Sequence, residues 1–428
     1  MINILFKQIR AVNPAENLDK IVNLWIKEGN IIHCSDKPVD VENDTQIIDG
    51  SDLIAAPGFC DMHVHLREPG YEYKENIVSG TAAAVNGGFT AVVCMPNTEP
   101  PIDNVPVVEF IRNQAAHLPV SVYIAGALTQ KREGKHISCM YELSDSGVLM
   151  FTDDGNCVTD SDVMRRIFEY SSGRDLLISQ HCEEHSLTNS FAMNEGIHSA
   201  KLGLKGYPSV AEEIILSRDI MLSGYFNNRR YHASHISTGH SVDLIRNAKA
   251  QGLRVSCEVT PHHFCLTEDY LSGYDTNYKM NPPLRTKKDV DALLTGLSDG
   301  TIDCIATDHA PHALHEKNIE FEKASCGIIG LETSFGLSMT FLVHKGILSI
   351  HQLIEKMSCN PRKILGLRDI SMKEGSCAEI TIFAPDKEWT VDKTKFKSRS
   401  DNTPFDGWHL KGKPEYVING NYFIKSEL

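Results

Sequence analysis

Alternation of apolar and polar positions governs both ends of this chain and is largely missing from its middle. Over residues 1 to about 52 the two kinds alternate, as in Ile21-Val22-Asn23-Leu24-Trp25-Ile26-Lys27, and turn residues such as Asn13-Pro14 and Gly29-Asn30 interrupt the runs. A period of two places successive side chains on opposite faces of a strand, so this region predicts several short strands. The same pattern returns near the C-terminus in Ala378–Phe383 and Tyr416–Phe423. Two β-rich ends around a different middle predict one small β-sandwich domain, residues 1–52 with 376–428, enclosing a central unit of 53–375.

In that middle, short apolar runs rich in β-branched residues alternate with segments of helical period. Eight runs stand out: Phe59–His65, Phe89–Cys94, Val120–Ala125, Val148–Phe151, Leu176–His181, Tyr231–His235, Arg254–Val259 and Ile302–Thr307. Between them, Asn76–Asn86, Asn104–His117, Asp160–Ser171, Val210–Leu222 and Ser241–Gln251 read as helices, and Gly87-Gly88 reads as a helix stop. Several runs are apolar throughout, as strands covered on both faces are. Eight β/α repeats predict a (β/α)8 TIM-type barrel. An open doubly wound sheet is the rival, but no glycine-rich dinucleotide fingerprint follows the first run.

Composition narrows the function classes. The formal charge is −14 with no basic run, which argues against nucleic acid or an anionic membrane as partner. No apolar run approaches the roughly 20 residues that cross a bilayer. The first residues, Met1–Lys7, lack the sections of a signal peptide and read as a strand. Twelve cysteines lie scattered without a Cys-x-x-Cys pair, which suits buried free thiols in a reducing cytoplasm.

Chemistry gathers where the runs end. Residues i and i+2 of a strand point the same way, so His63 and His65 aim two imidazoles at one point, and neutral imidazole is a common zinc ligand. Arg67 follows at once. Asn97 stands after run two, Asp153 and Asp154 after run four, His181 ends run five and His235 run six, and Asp308 and His312 follow run eight. Barrel enzymes place their active sites at this C-terminal face. Each residue alone reads more readily as a satisfied buried group. Together, two imidazoles on strand one, one each on strands five and six, and an aspartate on strand eight point to a metal site.

The motifs Asp61–Gly70, Met95–Thr98, Phe151–Gly155, Lys279–Arg285 and Ile305–His312 resemble the longer bacterial dihydroorotases of the amidohydrolase superfamily, and the likeness spans essentially the whole chain. The resemblance implies reversible hydrolysis of the cyclic amide of dihydroorotate to N-carbamoyl-L-aspartate in pyrimidine synthesis. It implies two zinc ions: His63 and His65 on the first, His181 and His235 on the second, and Asp154 bridging in place of the carboxylated lysine of many relatives. Asp308 would bind the first metal and move the proton. Arg67, Asn97 and His312 would hold the substrate carboxylate, and Asn281 would line the pocket. Metals lower the pKa of bound water to about 7 and so supply hydroxide at neutral pH. Among partners, the resemblance suggests a homodimer and association with aspartate transcarbamoylase. Its rivals are an allantoinase or dihydropyrimidinase, for which a lysine on strand four is expected, and a non-catalytic scaffold, for which lost ligands are expected. The polar stretch from Ala313 to Gly330 suits a loop over the pocket.

Overall fold

In the computed structural model, which describes residues 2–428, the eight middle runs form one parallel sheet. Its strands are Phe59–Val64, Phe89–Cys94, Ser121–Gly126, Met150–Phe151, Leu177–Gln180, Tyr231–Ala233, Val255–Val259 and Cys304–Ile305, each beside its neighbour in sequence. The first and last strands meet just past their ends, where Val64 bridges His309 and the His65 N–H donates to His309 O at 2.9 Å. The buried Asp61 reinforces this seam, its Oδ1 accepting from the N–H of His63 (3.0 Å) and of Thr307 (3.1 Å). The nearly closed barrel follows from the runs themselves: Phe59–Val64 and Phe89–Cys94 are buried at every position, as strands with helices outside and a filled interior must be.

Helices begin where capping chemistry permits. Asn76, Asn104 and Asp160 are N-caps, accepting from the N–H groups of Ser79, Val107 and Val163 and so satisfying donors that the first turns leave unpaired. The helices proper run Ile77–Asn86, Val105–Ala115 and Ser161–Tyr170.

Strands from both termini make a second sheet. Its order is Tyr422–Lys425, His409–Asn419, Glu379–Thr390, Ile54–Pro57, Asn3–Asn13, Leu18–Lys27 and Asn30–Ser35, with Gln46–Asp49 also on Asn3–Asn13. Ile54–Pro57 lies beyond the boundary expected at residue 52, yet it pairs with Asn3–Asn13 on one side and Glu379–Thr390 on the other. Only Gly58 separates it from the first barrel strand, so two strands nearly continuous in sequence serve two sheets. The two units share apolar contacts: Phe383 of the terminal sheet packs against Phe59 of the barrel (6.2 Å between ring centres) and Phe335 of the helix Leu331–Ser338 (4.8 Å).

Candidate active site

The apolar neighbours of the two strand-one histidines anchor them. Val64 and Leu66 join the main core, and Met62 joins a second buried cluster with Val93, Met150 and Leu177. His63 and His65 then meet residues from three other strand ends. His63 Nε2 lies 3.2 Å from Asp154 Oδ1 and 3.7 Å from Asp308 Oδ1. His65 Nε2 lies 3.0 Å from Asp308 Oδ1 and 3.5 Å from Asp154 Oδ2. His235 Nε2 stands 3.6 Å from Asp154 Oδ1. Two sets of donors, His63-His65-Asp308 and His63-Asp154-His235, each converge within 4.8 Å, and all these residues are buried.

Hydrogen bonds behind the rings set their tautomers. His63 Nδ1 is 2.7 Å from Glu258 Oε1, and His65 Nδ1 is 2.8 Å from Asn97 Oδ1. Both partners are acceptors, so in the neutral rings both Nδ1 atoms carry the proton and both Nε2 atoms turn a lone pair toward carboxylate oxygens. Lone pairs facing anions repel unless a cation lies between them. Without a metal, a proton on His63 plays the cation's part: burial opposes charge on both sides, but Asp154 and Glu258 hold the His63 imidazole well above its usual range, and His63 with its neighbours holds Asp154 and Asp308 well below theirs. Among the described residues, His63 Nε2 and Asp154 Oδ1 are buried without hydrogen-bond partners. Mixed imidazole and carboxylate donors of this kind fit a divalent metal. Backbone strain accompanies the site. Arg67, His235 and Asp308 have φ of 62°, 29° and 47°, a region costing about 1–3 kcal/mol per residue and held only where the surroundings insist.

Adjacent aspartates take different roles. Asp153 turns away, its carboxylate accepting from the N–H (3.0 Å) and the hydroxyl of Thr129, and burial pushes its pKa up to about 6. Asp154 points into the cluster. His181 joins neither converging set. Its Nε2 donates to Glu183 Oε2 at 2.9 Å, and its Nδ1 is 3.0 Å from His235 Nε2. Asn281 is close by, its Nδ2 donating to the same Glu183 oxygen at 2.9 Å.

Arg67, Asn97 and His312 lie on the same side. Arg67 is buried, its Nε donates to Pro311 O at 3.2 Å, and among the described residues no carboxylate pairs with it. Asn97 commits its Oδ1 to His65, which leaves its Nδ2 for a ligand. His312 Nε2 must carry a proton, because it faces Cys326 O at 2.8 Å, so Nδ1 donates only when the ring is charged. Burial pushes that pKa down to about 4, and a substrate anion would raise it. The stretch from Ala313 to Gly330 is tied down: Glu316 pairs with Lys74 at 2.7 Å, and buried Lys317 donates to Ser325 O and Gly327 O.

Three contributors escaped the sequence reading. Glu258 left a trace as a lone carboxylate inside the apolar strand Val255–Val259; it also accepts from His232 Nε2 at 3.2 Å. Asn402 left none. It reaches the site from the C-terminal stretch, its Oδ1 accepting from the His312 N–H (3.1 Å) and its Nδ2 donating to Ala310 O and Gly327 O. Arg132 also left none, and lies against the main chain of Asp153 and Asp154.

A nearly closed parallel barrel with clustered histidines and aspartates at its strand ends defines a metal-dependent hydrolase of the amidohydrolase class. Solved structures agree on the fold: an L-hydantoinase (dihydropyrimidinase) from Arthrobacter aurescens matches with a TM-score of 0.88 at 24% identity, covering 100% of this chain and 97% of that one. A dihydropyrimidinase from Brevibacillus agri matches at 0.85 and 19%, covering 99% and 95%. The family model described as dihydro-orotase-like matches residues 52–241. Dihydroorotases from Geobacter metallireducens and Syntrophus aciditrophicus are 48% and 45% identical, covering 99% and 96% of both chains. The chain belongs to the dihydroorotase family.

Proposed function

We propose that this protein is a dihydroorotase, interconverting dihydroorotate and N-carbamoyl-L-aspartate. The observation that carries this reading is the pairing of a carboxylate-rich cation site with a buried arginine, Arg67, that has no carboxylate partner among the described residues. A cyclic amide bearing a free carboxylate satisfies both at once, because the guanidinium fork matches a carboxylate while the amide carbonyl faces the metal.

His63, His65, Asp154 and Asp308 would hold the metal, with His235 beside Asp154; the nitrogen–oxygen donor set suits zinc, and His181 would serve a second ion on leaving Glu183. When bound, the metal supplies Lewis acidity toward the amide carbonyl and acidity to water. Asp308 is placed to take the proton of the attacking water and deliver it to the ring nitrogen as the carbon–nitrogen bond breaks. In the reverse direction it returns that proton to the departing water. Arg67, Asn97 Nδ2 and His312 orient the substrate by its carboxylate, and Asn281 lines the pocket. Among the described residues no helix is long and apolar enough to cross a membrane. Twelve free thiols, half of them buried, support a cytoplasmic setting.

The test is one purified preparation assayed on dihydroorotate, hydantoin, dihydrouracil and allantoin, with metal content measured per chain. Dihydroorotate should be the preferred substrate, with zinc present. Faster opening of hydantoin or allantoin would overturn the reading.

A further inference from the structure

Arg132 occupies a turn after the third barrel strand in a conformation that side-chain-bearing residues avoid. Its φ is 56° and that of Lys131 is 55°. The surroundings enforce both. Lys131 N–H donates to Asp103 Oδ2 (2.8 Å), Thr129 N–H to Asp153 Oδ1 (3.0 Å), Gly134 N–H to Thr129 Oγ1 (2.9 Å), and Asn156 Nδ2 to Arg132 O (2.9 Å). Strain held this firmly tends to serve a site.

The turn lays a guanidinium beside the metal cluster. Arg132 Nη2 donates to the main-chain oxygens of Asp154 (2.5 Å) and Asp153 (3.3 Å), both neutral acceptors. Its Nε is enclosed, and among the described residues it has no hydrogen-bond partner. No carboxylate of the described residues forms an ion pair with it. A Cβ at Gly155, φ 81°, would stand 3.1 Å from both Arg132 Nη2 and Asn97 Nδ2, so the glycine lets these two donors lie near one another. A buried guanidinium N–H left without a partner, beside an amide donor that is also free, suits an anion from outside.

We infer that Arg132 is a second guanidinium of the carboxylate subsite, binding with Arg67 and Asn97 Nδ2 the carboxylate that dihydroorotate and N-carbamoyl-L-aspartate share. The inference rests on the dihydroorotase reading. The alternative is that Arg132 merely braces the turn carrying Asp154.

Metal-loaded R132M and R132K separate the two. Kinetics in both directions, inhibition by orotate, metal content and Tm are measured beside wild type. Loss of a charge-assisted contact should raise KM for dihydroorotate and Ki for orotate about 10- to 100-fold in R132M, with metal content unchanged. Added guanidinium ion should restore part of the loss. R132K should fall between, keeping the charge but losing the fork, and it serves as the test should R132M fail to fold. Metal loss with unchanged orotate affinity would overturn the inference in favour of a brace. Failure of wild type to turn over dihydroorotate would instead overturn the functional reading, and orotate binding by calorimetry in wild type and variants would still decide the role of Arg132.

Discussion

At the scale of single residues, the proposed centre depends on what stands behind each candidate ligand. Glu258 accepts from His63 Nδ1 and from His232, whose other nitrogen meets Ser256 Oγ at 2.8 Å. This chain fixes the tautomer that turns His63 Nε2 toward the carboxylates. Glu258→Gln preserves shape but removes the charge that makes His63 a strong donor. It should weaken metal affinity about 10- to 100-fold without changing the fold. Competition with a chelator measures this, and wild-type affinity in the variant would sink the assignment. Asp154 and Asp153 make the same point. They are adjacent in sequence, and only the hydroxyl and amide of Thr129 decide which of them turns from the site.

At the scale of elements, the loop after strand eight is held from a distance. Asn402, in the segment between two strands of the terminal sheet, binds the main chain of His312, Ala310 and Gly327, and its own carbonyl accepts from Ile329 N–H at 3.0 Å. Asn402→Ala removes the three side-chain bonds while leaving Arg67 and the proposed metal ligands untouched. KM for dihydroorotate should rise about tenfold, the equivalent of one or two neutral hydrogen bonds, while metal content stays constant. A variant with wild-type KM would show that the loop keeps its position without this tie. The segment was legible as part of a β-rich end, but its reach over the barrel was not. That contact spans 90 residues of sequence between His312 and Asn402 and follows no local period.

At the scale of the molecule, barrel and terminal sheet meet at titratable as well as apolar groups. Glu332, on a barrel helix, accepts from Asn86 Nδ2 and from the N–H of Lys397 at 2.7 Å. Burial outweighs these bonds and pushes its carboxyl from 4.5 up to about 7. Between these values the folded chain keeps a proton that the unfolded chain releases. The stability this proton confers is therefore full below about pH 4.5 and is lost as pH rises through 7. Glu332→Gln removes the titration, so the variant's Tm relative to wild type should be higher at pH 8 than at pH 5. Calorimetry at the two values checks this; an equal difference at both would mean that Glu332 does not titrate in that range.

Some of this protein is written in local order. Period-two ends, eight apolar runs and caps such as Asn76 and Asp160 are short-range signals, because burial on one face or two, and the unpaired amides of a helix start, act within a few residues. The strand-end positions of His63, His65, Asp154, His235 and Asp308 follow from those same runs, since a parallel barrel gathers strand ends at one face. Tertiary structure alone decided the rest. Ring tautomers depend on Glu258 and Asn97, and the resting position of His181 depends on Glu183. The main chain that carries Asp154 and His312 is held by Arg132 and Asn402, brought in by turns and long-range hydrogen bonds that leave no periodic mark. Hydrophobic pattern specifies which face of an element is buried, whereas the direction of a buried hydrogen bond is set by whichever partner the finished fold brings within about 3 Å.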